Sequence, residues 1–267
     1  MPILNINKLN LNFELDGPDD AEVLTFVHGQ AFDLKSWSRQ VSALKSRFKV
    51  LCIDLRGHGG TELGALAHDL RMHHLANDII GLWDALNIKS AHYIGKSLGG
   101  MIGFELALKN RSRLNSLVLT ATQGKMPEGS LERMRGYVRR YKQSEFGMSL
   151  AAEQLLARYL PEDYSRRDPE GFNLLKEGIN SLTVESYEYT SEAINAMDYD
   201  SQLDSIDLPT MVIAGELDVP TSPSRMTMYR DRIRGAKWGI VEGAAHLPNF
   251  ENPKAFNRLL IKFIEGL

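Results

Sequence analysis

The chain has 267 residues, 43% of them apolar and 24% charged, enough to bury a sizeable core without staples. A net charge of −3 argues against a general nucleic-acid binder, which would carry a basic excess. The one cysteine, Cys52, excludes an intramolecular disulfide and lies in the apolar run Val50-Leu51-Cys52-Ile53, where a buried thiol is expected. The opening Met1-Pro2-Ile3-Leu4-Asn5 lacks a basic segment followed by an apolar one, and no stretch approaches the roughly 18 apolar residues of a membrane span. A cytoplasmic protein with no membrane partner is therefore expected.

Ile3, Leu4, Ile6, Leu9, Leu11, Phe13 and Leu15 recur with a period near two, which predicts a hairpin or two edge strands. Val23–Val27 reads as a buried strand ending at His28-Gly29-Gln30. A helix is expected around Trp37–Ser46, then a strand over Phe48–Ile53. Met72, Leu75, Ile79, Leu82, Trp83 and Leu86 sit at helical spacing over 72–87. A strand over 91–95, a helix over 98–109 and a strand over 114–120 follow. This alternation favours a parallel sheet with helices on both faces. From about 124 to 204 the pattern is helical throughout, and then strands at 209–214 and 237–241 alternate with helices at 223–233 and 253–264. The expected organisation is an α/β core, 1–123 and 205–267, with a helical cap at 124–204.

The chemistry gathers at Gly95-Lys96-Ser97-Leu98-Gly99-Gly100, a Gly-x-Ser-x-Gly pattern between a strand and a helix. Such a turn presents a serine hydroxyl at its tip, and glycines on either side avoid collisions across it. A hydroxyl is a poor nucleophile at neutral pH and needs a base. His246, after the last strand, suits that task, and Asp218, after the strand before it, would orient the imidazole. All three fall past the carboxyl ends of strands, where open α/β sheets bind ligands. Charge developing on a substrate carbonyl oxygen needs backbone N–H donors. Leu98, directly after the serine, and Gln30, in the loop after the Val23–Val27 strand, are the expected pair, with Ala31 the lesser alternative to Gln30.

Residues 21–123 and 205–267 resemble the α/β-hydrolase superfamily through His28-Gly29, Asp54-Leu55-Arg56-Gly57-His58-Gly59, Gly95–Gly100 and Gly243-Ala244-Ala245-His246. The likeness is nearest to 3-oxoadipate enol-lactonases, carried by Ser97–Ile102, Ala151–Tyr159, Ala193–Asp198 and His246–Glu251. The resemblance implies a mostly parallel eight-stranded sheet and hydrolysis of a small ester or lactone, without a cofactor, through an acyl-enzyme. Enol-lactone substrates are carboxylates, which draws attention to the basic run Arg133, Arg135, Arg139, Arg140 and Lys142. Phe32, Lys96, Met126, Arg139, Tyr159 and Leu247 are the expected substrate contacts.

Two positions depart from that family, His28-Gly29 in place of Asn-Ser and Lys96 before the nucleophile. Lys96 could favour anionic substrates or lower the basicity of His246. The plainer expectation is that it points away from the pocket and pairs with a carboxylate. His28 and His58 read as structural braces, and the basic run as a solvated helix face. His68, His73 and His74 lack a metal-ligand spacing, and Gly57, Gly59 and Gly60 lack a dinucleotide arrangement, so no metal or cofactor is expected. Alternative functions are hydrolysis of a C–C bond in a ring-fission diketone, perhydrolysis, or a non-enzymatic receptor on the same scaffold. Dehalogenase and epoxide hydrolase chemistry would need Asp where Ser97 stands.

Overall fold

A computed structural model describes residues 2–65 and 67–267. Its first strands, β1 (Ile3–Ile6) and β2 (Leu9–Asp16), form an antiparallel hairpin across Asn7-Lys8. Both turn residues have positive φ, 51° and 63°, the turn whose twist matches paired strands. β2 pairs antiparallel with β4 (Lys49–Ile53). The rest of the sheet is parallel, through β3 (Val23–Val27), β5 (Ala91–Lys96), β6 (Leu114–Thr120), β7 (Thr210–Gly215) and β8 (Lys237–Val241). The described residues make one eight-stranded sheet in the order β1-β2-β4-β3-β5-β6-β7-β8. The chain leaves β3 toward β4 and later returns to β5 on the other side. That reversal opens a crevice at the carboxyl ends of β3 and β5.

Alternate residues of each strand feed opposite faces. Leu51 and Ile53 join one apolar cluster with α2 (Met72–Ala85), α3 (Leu98–Lys109) and α9 (Pro223–Arg232). Val50 and Cys52 join the other, with α1 (Ser38–Leu44) and the closing helix Pro253–Ile264. Cys52 is fully buried, and burial pushes its thiol well above the ordinary value. Truncating a buried leucine such as Leu75 to alanine in such a core costs about 2–5 kcal/mol.

Between β6 and β7 the chain runs through α4 (Ser130–Gln143), α5 (Met148–Tyr159), α6 (Tyr164–Arg167), α7 (Pro169–Asn180) and α8 (Val184–Asn195). Entry and exit of this insertion are clasped. Lys125 and Asp198 form an isolated antiparallel bridge with an ion pair of 2.6 Å, and Tyr199 N donates to Gly124 O. The insertion has its own apolar cluster, including Tyr141, Leu156, Ile179 and Tyr187. Ala31, Phe32, Leu247 and Phe250 belong to the same cluster, so these helices pack directly on the loops after β3 and β8.

Candidate active site

The elbow between β5 and α3 is held at a strained angle. Ser97 has φ 52° and ψ −113°, a conformation that side-chain-bearing residues rarely adopt and that costs about 1–3 kcal/mol. Its N–H donates to Thr120 O (2.9 Å), and the Thr122 hydroxyl donates to Ser97 O (2.7 Å). The two glycines are required by contact. A Cβ on Gly95 would stand 2.3 Å from Gly99 O, and one on Gly99 would stand 2.2 Å from Val27 O.

Asp218 follows β7 in a loop pressed against the His246 loop, with Leu217 N donating to Ala244 O (2.8 Å). One carboxylate oxygen lies 2.9 Å from His246 Nδ1 and accepts the Thr221 hydroxyl (2.6 Å). The other accepts Thr221 N–H (3.1 Å). Burial works to raise this carboxyl. The charge and hydrogen bond of His246 and the two Thr221 bonds outweigh that effect and hold it below its ordinary value. Glu216, the other nearby acid, accepts Gly243 N–H instead.

His246 is fixed on every side. Its N–H donates to Tyr159 O (3.0 Å), and its ring stacks on Tyr159 at 4.5 Å. The flanking Ala245 and Leu247 N–H groups both donate to the Glu251 carboxylate at 2.8 Å. Burial drives Glu251 up to about 7 against those two bonds. Nδ1 is engaged by Asp218, and Nε2 has no hydrogen-bond partner among the described residues.

Ser97 and His246 line one cavity of about 540 Å³ beneath the helical insertion. Gln30, Met126 and Tyr159 also line it. Arg133, Arg158 and Arg225 reach it from α4, α5 and α9, and no Asp or Glu among the described residues does. None of the three arginines has a carboxylate partner among the described residues. Arg133 bonds Ser130 Oγ and Glu128 O, Arg225 bonds Pro220 O and Gln123 Oε1, and Arg158 stands over the Tyr159 ring.

Near this cavity, two expected donors are unspent. Neither Leu98 N–H, at the first position of α3, nor Gln30 N–H donates to an acceptor among the described residues. The alternative, Ala31 N–H, is already given to His58 Nε2 (3.2 Å). His28 accepts from Leu55 N–H, and burial holds both histidines neutral, with pKa lowered to about 3. The Gln30 side chain is anchored on Tyr187 O, Thr190 and Ser191 of α8.

Four expected substrate contacts do not line the cavity. Arg139 lies on the exposed face of α4 and pairs with Glu132, because helix rotation puts Arg133 toward the cavity instead. Phe32 and Leu247 are 2% and 0% exposed and pack behind the cavity wall. Lys96 is 0% exposed and stays out of the cavity lining, as the plainer expectation had it, but Nζ has no carboxylate partner among the described residues, against the other half of that expectation. Its Nζ lies 4.1 Å from the Phe32 ring centroid. Burial lowers its pKa to about 7, against the opposing charges of Asp218 and Glu251. Sequence reasoning missed Thr221, Glu251, Arg158 and Arg225. The Asp218-x-x-Thr221 spacing, which suits an Asp-capped turn, was the available signal for the first.

Known proteins share this architecture. A 3-oxoadipate enol-lactonase of Acinetobacter baylyi is 28% identical over 95% of this chain and 92% of its own. The crystal structure of an enol-lactonase from Burkholderia xenovorans LB400 superposes with a TM-score of 0.92 at 28% identity, covering 99% of this chain and all of the other. A thermophilic esterase from Thermogutta terrifontis, described as malate bound, superposes with a TM-score of 0.90 at 25% identity, over 99% and 98% of the two chains. The model of the alpha/beta hydrolase fold family matches residues 22–253. With that match over most of its length and an eight-stranded, mostly parallel sheet, the chain belongs to the alpha/beta hydrolase fold family.

Proposed function

We propose that the protein is a serine hydrolase of small carboxylic esters or lactones, with residues 1–123 and 205–267 as its catalytic core and 124–204 as a cap. The observation that carries this reading is the 2.9 Å contact of His246 Nδ1 with Asp218, beside a cavity that His246 shares with the strained Ser97. Ser97 Oγ attacks the substrate carbonyl while His246 Nε2 takes its proton. Asp218 holds the tautomer and stabilises the imidazolium that forms. The Gln30 and Leu98 N–H groups receive the oxyanion. His246 returns the proton to the leaving oxygen, then activates water to release the acyl group from Ser97.

The same cavity supports a substrate that bears a carboxylate. Three guanidiniums without carboxylate partners and a wall free of acids, both among the described residues, favour an anion, which arginine can hold through paired N–H bonds. Relatives that cleave enol-lactones, and a malate-bound esterase, agree with an anionic ligand. The test is turnover of p-nitrophenyl acetate and of a carboxylated lactone. Ser97→Ala should lower kcat by at least about 10⁴-fold. Turnover that survives Ser97→Ala, or no turnover of any short ester or lactone, would overturn the reading.

A further inference from the structure

Lys96 has no part in the mechanism above, yet it occupies an expensive position. Its side chain is completely buried, and Nζ has no hydrogen-bond acceptor among the described residues. An unpaired buried ammonium destabilises a fold, and an apolar residue of the same length would not. Stability therefore does not account for a lysine here.

Nζ lies against both ends of the turn Gly29-Gln30-Ala31-Phe32. Phe32 N–H donates to Gly29 O (3.2 Å) to close that turn, and Ala31 sits at φ 68°, where an alanine is strained. Nζ faces the Phe32 ring at 4.1 Å. A Cβ added to Gly29 would stand 3.2 Å from Nζ. The Phe32 ring packs in turn on Tyr159, which stacks on His246.

We propose that Lys96 is a positioning residue of the hydrolysis: its ammonium, held against Gly29 and the Phe32 ring, fixes the strained turn that presents the Gln30 N–H to the oxyanion. This rests on the serine-hydrolase reading above. A cation on an aromatic face is attracted by the ring, and a neutral amine is not. The protonated form is therefore the working one. The titratable groups whose fields reach it are Asp218 after β7, Glu251 beyond His246 and the neutral His28 after β3. The two carboxylates favour the ammonium, and burial opposes it, so it loses its proton near neutrality.

The test is Lys96→Met in the full chain, assayed on p-nitrophenyl acetate beside wild type and Ser97→Ala. Displacing one oxyanion donor without deleting it should lower kcat roughly 10–100-fold, less than the ~10²–10³ of outright removal. KM should stay within about twofold, because ground-state binding is untouched. The variant should melt at the same or a higher temperature than wild type. The fall in wild-type kcat as pH rises through the lysine's titration should vanish. Wild-type kcat in Lys96→Met overturns the proposal. So does a loss of kcat accompanied by a lower melting temperature and an intact alkaline limb, the mark of a purely structural role. If Lys96→Met does not fold, Phe32→Leu keeps the amine and removes the ring, and its alkaline limb should move to lower pH; an unmoved limb overturns the proposal. A wild type no faster than Ser97→Ala fails the serine-hydrolase reading and this one together, whereas a Lys96→Met enzyme as fast as an active wild type fails this one alone.

Discussion

The two walls of the cavity are built on different principles. On the sheet side, Ser97, Asp218 and His246 are each tied by short hydrogen bonds, and Asp218 and His246 are buried. On the helical side, Arg133 and Arg158 are exposed cations with no carboxylate partners among the described residues, and Arg225, exposed on α9 of the core, joins them at the cavity in the same state. A bond-breaking group must be held to a fraction of an ångström. A group that only attracts a charge can remain solvated until a ligand arrives. The contrast assigns reaction to one wall and selection to the other.

The sharpest way to break that division is Asp218→Asn. The amide cannot hold the imidazole tautomer, so kcat on p-nitrophenyl acetate should fall by about 10⁴-fold with the fold intact by circular dichroism. A loss under tenfold would mean that the sheet-side wall does not depend on the pair. Among the solvated cations, Arg133→Ala, Arg158→Ala and Arg225→Ala should each raise KM for a carboxylated lactone, by about tenfold where a charge-assisted bond is lost. They should leave kcat on a neutral ester unchanged, and Arg139→Ala should change neither. Equal effects on neutral and anionic substrates would erase the distinction between the walls. The smallest effect concerns Glu251. Its carboxyl is raised from 4.5 to about 7 in the folded protein, so it binds a proton there that the unfolded chain has released. That contribution is fully present below the unfolded value and is lost as pH rises through about 7. The urea midpoint of wild type should therefore decline relative to Glu251→Gln between those limits. A constant difference across that range would place the carboxyl's titration elsewhere.

What could be read from the sequence divides along the same line. The elbow, the strands that flank it and the order Ser97, Asp218, His246 are local patterns, because a strand end followed by a tight turn dictates where its next side chain goes. The eight-stranded, mostly parallel sheet followed from alternating periodicity and the family likeness, and the structure has it. The arginines were not separable from sequence. Arg133 and Arg139 lie on one helix six residues apart, and only tertiary packing decides which face meets the cavity. The carboxylate pairing expected of Lys96 failed for a related reason. Lysine is expected at a surface or beside an acid. Its burial follows from its place on β5, which is buried along its whole length. Phe32 and Leu247 sit beside reactive loops in sequence but turn inward, since those loops are also the seat of the helical insertion.

That insertion has a thermodynamic consequence for the sheet below. β6 hydrogen-bonds directly to β7, with Leu119 opposite Val212, although residues 121–209 intervene. Closing so long an excursion costs an entropy that grows only with the logarithm of its length. Doubling or halving the excursion would alter the closure cost by about 0.6 kcal/mol. The strand pairing that brings β7, and Asp218 after it, into the sheet is thus nearly indifferent to how much chain is looped out before it. The insertion can be lengthened, shortened or exchanged at little expense to the sheet, provided the Lys125–Asp198 clasp and the contacts to Phe32 and Phe250 are preserved.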